Sequence, residues 1–235
     1  MTVQGVKTRL KKKVDPYIKS LGFEERYPSG YKREPFNSVI SFTVKTWGSD
    51  FTVQSILARS YRTIEDKWVK YRHLWGEDHQ PYPPTIGFTR VDIDPALEIN
   101  PHLKYLGEGL EEIKSEEDIA RYAELFRTEY ETLYLPFLKQ TENIHWLDEE
   151  LNKDPYVFST ARRRGISRNG AAFRNIIVAR LAGNADYEVI CQAARVFLRE
   201  WAEKEEEGKK RAEAFELVYE ELKLVEPLPS PLLTA

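Results

Sequence analysis

Four arginines, Arg162, Arg163, Arg164 and Arg168, sit among Ser159, Thr160, Ser167 and Asn169. Guanidinium forks, small hydroxyls and the free backbone N–H groups of a helix start all donate to phosphate oxygens. Arg174 and Arg180 lie on the helix that the spacing predicts after Gly170 and would extend the patch. One expected use is therefore phosphate or nucleic-acid binding through the Arg162–Arg168 loop. The other reading is a solvated loop whose arginines pair with the glutamates of the next helix. The run Arg164-Gly165-Ile166-Ser167-Arg168-Asn169-Gly170 lacks the Gly-Lys-Ser/Thr ending of a phosphate loop.

A second set is acidic. If Thr85 to Ile93 is a strand with Ile86, Phe88 and Arg90 on one face, then Asp92 and Asp94 share a face at its end. Paired carboxylates can bind magnesium or act as acid and base, which would make a metal-dependent enzyme. Turn initiation before Pro95 uses the same residues without chemistry. His73, Glu77, Asp78 and His79 have no spacing that fixes them on one face, so no metal ligands are assigned there and no cofactor is expected. Cys191, inside an apolar helix face, reads as a small core residue.

A third set is aromatic. Trp68, Tyr71 and Trp75 recur at intervals of three and four, as the buried face of a short helix would; Tyr82 and its neighbouring prolines follow. Aromatics interleaved with bases anchor protein partners or stack on nucleobases. Trp75 and Tyr82 are the residues assigned to partner contact.

These sets need elements to position them. Val3, Val6, Leu10, Val14, Ile18 and Leu21 mark one amphipathic helix, with a kink or break expected near Asp15-Pro16 and a stop at Gly22-Phe23. Tyr27 to Tyr31 predicts a tight turn between short strands. Ile40, Phe42 and Val44 alternate with polar residues, and Gly48-Ser49-Asp50 turns into a return strand with Phe51, Val53, Ser55 and Leu57. From Ser115 the pattern is helical. The first helix there is capped by Ser115 and Asp118 and ended by Pro136; the second stops at Asn152. A third runs from Gly170 to Gly183. A fourth carries Tyr187 to Trp201 onward through a charged segment to Leu222, and an extended proline-rich tail closes the chain. The fourth helix starts Asp186-Tyr187-Glu188, which would repel phosphates, so the last pair reads as a plain helical hairpin and not a DNA reader. The expected division is residues 1–153 and 154–235.

Composition narrows the class. Hydrophobic residues at 41% and charged residues at 31% suit a folded domain with a core, and the near balance of 35 basic and 38 acidic residues supplies no global field for nucleic acid. No apolar run approaches a bilayer span, and Met1-Thr2-Val3-Gln4-Gly5 opens no signal peptide. One cysteine forms no internal disulfide, so a reduced, cytoplasmic location without membrane partner is expected.

Val14-Asp15-Pro16-Tyr17-Ile18-Lys19-Ser20-Leu21-Gly22-Phe23, the strand pair from Val39 to Leu57, the Trp68 region, and Tyr134-Leu135-Pro136-Phe137-Leu138 with its short helix follow one another in a familiar order. In order and spacing they resemble the bacterial domain-of-unknown-function 4304 family, over roughly residues 6–152. The resemblance implies an α+β fold and no particular activity. By analogy of shape it points to immunity or defence-associated binders. The expectation is thus an α+β protein, with an N-terminal helix and a small antiparallel sheet covered by helices, then a helical C-terminal region. Its expected function is non-enzymatic macromolecular interaction in the bacterial cytosol. A protein partner is expected, and the C-terminal helices either pack on the sheet or form a homo-oligomer.

Overall fold

The structure, a computed structural model, describes residues 1–27, 30–33, 38–47, 50–76, 85–94, 111–153 and 170–233. The fold is α+β. The chain forms two compact units that interleave along the sequence. One comprises Met1–Arg59 with Gly87–Leu138, the other Ser60–Ile86 with Lys139–Ala235. This differs from the expected division at residue 153. The segments after Arg59 and after Leu138 carry apolar faces that belong to the helical core of the second unit.

The first unit opens with α1 (Val3–Ser20), whose stripe of Val6, Leu10, Val14 and Ile18 is buried. Thr2 caps it by accepting the Gly5 N–H at 3.0 Å. At its other end Phe23 N–H reaches the Ile18 carbonyl and Gly22 N–H reaches that of Lys19, with Gly22 at φ 81°, so the stop is a Schellman turn. Of the kink or break expected near Asp15-Pro16, a break is absent: the helix is continuous from Val3 to Ser20. Pro16 and Lys12 are both on the exposed side, where water can satisfy the Lys12 carbonyl that loses its donor.

The sheet follows as β1 (Glu24–Tyr27), β2 (Gly30–Arg33), β3 (Ser38–Trp47) and β4 (Asp50–Arg59), with β5 (Ile86–Phe88) and β6 (Glu111–Ile113) both beside β4. The β3–β4 register runs from Val39 opposite Ala58 to Trp47 opposite Asp50. It places Ile40, Phe42 and Val44 on one face with Leu57, Ser55 and Val53. That face is buried by α1 and by α4 (Glu116–Glu129), whose Phe126 ring meets Phe42 at 5.0 Å and 72°. Each apolar side chain of that face contributes about 1.5–3 kcal/mol by leaving water. The capping box of Ser115 and Asp118 is present at the start of α4.

Two further expectations are corrected here. The strand stops at Phe88, and α3 (Arg90–Ile93) is one helical turn. The Arg90 guanidinium is buried there between Glu129 (2.9 Å) and Glu111 (2.6 Å), a pairing that a continued strand would not make. Nor does Pro136 end its helix. A π turn at Tyr130–Tyr134 leads into α5 (Leu135–Gln140), and the wider turn accommodates the ring one position into α5.

In the second unit α2 (Arg62–Val69) and a 3₁₀ turn (Arg72–Trp75) join α6 (Ile144–Asn152), α7 (Ala171–Ala182), α8 (Tyr187–Ala202) and α9 (Glu206–Leu222). α7 is apolar nearly all round and is accordingly the central helix, buried from Ala172 to Ala179 and at Leu181. The expected continuous fourth helix is instead two. The chain turns at Glu203–Glu205 and α9 returns antiparallel to α8, which buries Ala214, Phe215, Val218 and Leu222; a straight extension would leave them in water. The extended tail is docked, not free. Leu228 N–H bonds the Leu181 carbonyl at 2.9 Å, Leu233 N–H bonds that of Glu142 at 2.7 Å, and Leu233 is buried.

Candidate functional site

Tyr82, Arg162, Arg163, Arg164 and Arg168 lie outside the described residues, as do Glu77, Asp78 and His79. Asp92 and Asp94 fall at the end of α3. Asp92 lies within α3 and Asp94 follows it, so the strand end expected at these positions is not formed. The side chain of Asp92 is outside the described part. Among the described residues no group of three or more His, Cys, Asp or Glu is arranged to hold a metal ion, and no helix is long and apolar enough to cross a membrane.

Trp75 is half-buried in the second unit. Its ring stacks on Phe173 (6.0 Å, 25°), which stacks in turn on Trp68 (5.3 Å, 17°). The two ends of this stack are covered by guanidinium groups, Arg174 at 5.0 Å from the Trp68 ring and Arg211 at 4.6 Å from that of Trp75; Arg211 also lies 5.1 Å from Trp201.

Arg174 and Arg180 do not extend a basic patch. Arg180 Nε donates to the Val225 carbonyl at 2.6 Å. Arg174 is fully buried and forms a bidentate pair with the equally buried Glu65, Nε to Oε1 at 2.7 Å and Nη2 to Oε2 at 2.9 Å. The same carboxylate accepts from Trp68 Nε1 (3.0 Å) and from Thr85 Oγ1 (2.7 Å), which itself accepts the Tyr61 N–H. Four donors on one carboxylate compensate much of its desolvation. Gly170 closes the site from above. A Cβ there would stand 2.6 Å from Arg174 Nη1 and 2.7 Å from Trp68 Cζ2. Glu65 and Arg174 are both fully buried, so this centre organises the core. A charge inside the apolar run Phe173 to Leu181 announces a buried partner; which acid it meets, 109 positions away, is not readable from spacing.

Cys191 is fully buried, as expected, and burial pushes its thiol up to about 11. Ellman's reagent at neutral pH should leave the native protein unlabelled and take up one thiol on denaturation; rapid labelling of native protein would contradict this placement.

Among the described residues of this unit, a groove runs along α8 and α9. Its floor is Leu198, Ala202, Ala212 and Phe215, and its rim includes Arg195, Arg199, Glu213 and Glu216. Arg195 bridges the two helices, with Nε and Nη2 on the Glu216 carboxylate at 2.8 and 2.9 Å and its guanidinium 4.1 Å from the Tyr219 ring. One helical turn further toward the hairpin bend, Arg199 and Glu213 are exposed and make no ion pair among the described residues. Val189 and Val196, two turns apart on α8, are 42% and 44% exposed.

No family model, no curated protein and no solved structure matches this chain.

Proposed function

We propose that this chain is a non-enzymatic interaction protein of the bacterial cytosol that contacts a protein partner through the outer surface of α8 and α9. The observation behind this reading is the pairing of exposed apolar residues, Val189 and Val196, with an open groove rimmed by the uncompensated Arg199 and Glu213. Protein interfaces combine an apolar patch with a charged rim, and arginine is prominent among residues that dominate their energy. The resemblance over residues 6–152 supports an immunity or defence-associated setting as part of the same proposal. Trp75, engaged in its intramolecular stack, is better suited to supporting α9 through Arg211 than to projecting toward a partner.

A photo-crosslinking residue at position 196 tests this in cells of the source organism. It is expected to trap protein adducts, with an equivalent probe at exposed Lys12 on α1 trapping none of them. Equal adduct patterns at the two positions would remove the basis for assigning the contact to α8.

A further inference from the structure

We infer that the occupant of the α8–α9 groove is a second copy of this chain, docked about a two-fold axis parallel to the two helices; this rests on the reading of that surface as a protein interface. The argument starts from the rungs of the hairpin. Antiparallel helices place Arg195 level with Glu216, and that rung is closed within the chain at 2.8 Å. The next rung, Arg199 and Glu213, is one turn along each helix and is left open above a floor that the small residues Ala202 and Ala212 keep shallow. Both of its members are charged, exposed and of opposite sign.

A two-fold axis parallel to the helices preserves height along them and exchanges left for right. It sets α8 of one copy opposite α9 of the other, still antiparallel, so Arg199 of each copy stands level with Glu213 of its mate. Both open rungs then close between copies, as an isologous interface requires. The sign distribution favours this occupant over an arbitrary protein. On the groove rim the arginines, Arg195 and Arg199, come from α8, and the glutamates, Glu213 and Glu216, come from α9. The surface is therefore complementary to its own two-fold image. Val189 and Val196 on α8 supply apolar area beside the charged rung, and the result is a four-helix arrangement with two helices from each copy.

Sedimentation equilibrium over a concentration series tests this with the full chain. The wild-type protein is expected to approach twice its 27.5 kDa as concentration rises. Arg199→Glu or Glu213→Arg alone should weaken dimerisation on the order of a hundredfold, because each places like charges together. Mixing the two single variants in equal amounts should restore a dimer, since the heterodimer has opposite charges at both rungs. Far-ultraviolet circular dichroism and thermal melts confirm that each variant is folded. A wild-type chain that stays monomeric throughout, or single variants that dimerise as well as the wild type, would overturn the inference. So would a mixture of folded variants that stays monomeric. Foreign adducts at position 196 from a monomeric wild-type chain would still support the interaction reading, so the two can fail separately.

Discussion

Arg174→Met is expected to destabilise the second unit by about 3–5 kcal/mol, the cost typical of stripping one partner from a buried ion pair. The substitution removes two of the four donors on the Glu65 carboxylate and leaves Trp68 Nε1 and Thr85 Oγ1 to stabilise a charge with no access to water. It also removes the cation over the Trp68 face, a smaller loss. Glu65→Leu should cost a similar amount for the mirror reason, since it strands a guanidinium whose Nη1 has no acceptor among the described residues. The combined variant, Glu65→Leu with Arg174→Met, should recover most of that loss, because neither member then leaves a charge behind. Urea unfolding followed by tryptophan emission reads this directly, as four of the five tryptophans (Trp68, Trp75, Trp146 and Trp201) belong to the second unit. Single variants within about 1 kcal/mol of wild type would show that the pair carries little of the stability of the core. A double variant no better than the singles would mean that shape, and not charge, is what the site requires.

The helix-on-sheet half of the fold was readable because its signals are local. A period of 3.6 from Val3 to Leu21, alternation from Ile40 to Val44 and the Ser115–Asp118 cap each lie within a few residues, and each formed as expected. Apart from the two prolines that do not interrupt their helices, the errors fall where a distant partner decides. Arg90 follows an apolar alternation that suggests a strand, yet Glu129 and Glu111 draw it into a helical turn. Arg174 looked like one more arginine after Arg168, although its apolar neighbours already marked it as interior; the acid it meets precedes it by more than a hundred residues. The charged stretch after Trp201 fits a helix locally, so only the burial of Phe215, Val218 and Leu222 against the rest of the unit explains the reversal. The interleaving of the two units has the same origin, since nothing in the sequence near Arg59 or Leu138 announces a crossing. For function, the accessible α8–α9 groove emerged only once that reversal was in place, because its two walls are separated by the bend.

Gly208→Ala is the sharpest test of that bend. The amide of Ala202 and the carbonyl of Trp201 approach Gly208 so closely that a Cβ would stand 2.6 Å from Ala202 N and 2.7 Å from Trp201 O. These are main-chain atoms of the last turn of α8, so no side-chain rotation relieves the clash; the start of α9 must move away. In an ordinary exposed helix the same change would stabilise by up to about 1 kcal/mol, because alanine is the better helix former. Here overpacking should outweigh that gain and destabilise the unit by about 1–3 kcal/mol. The displacement would also carry Arg211 away from Trp75 and Trp201 and shift Glu213 relative to Arg199, so self-association should weaken along with stability. Lys210→Ala, two positions on and exposed, is the control that changes α9 without touching α8 and should leave stability within about 0.5 kcal/mol. If Gly208→Ala instead raises the urea midpoint, α8 and α9 are not held at the approach seen here, and the groove between them loses its physical basis.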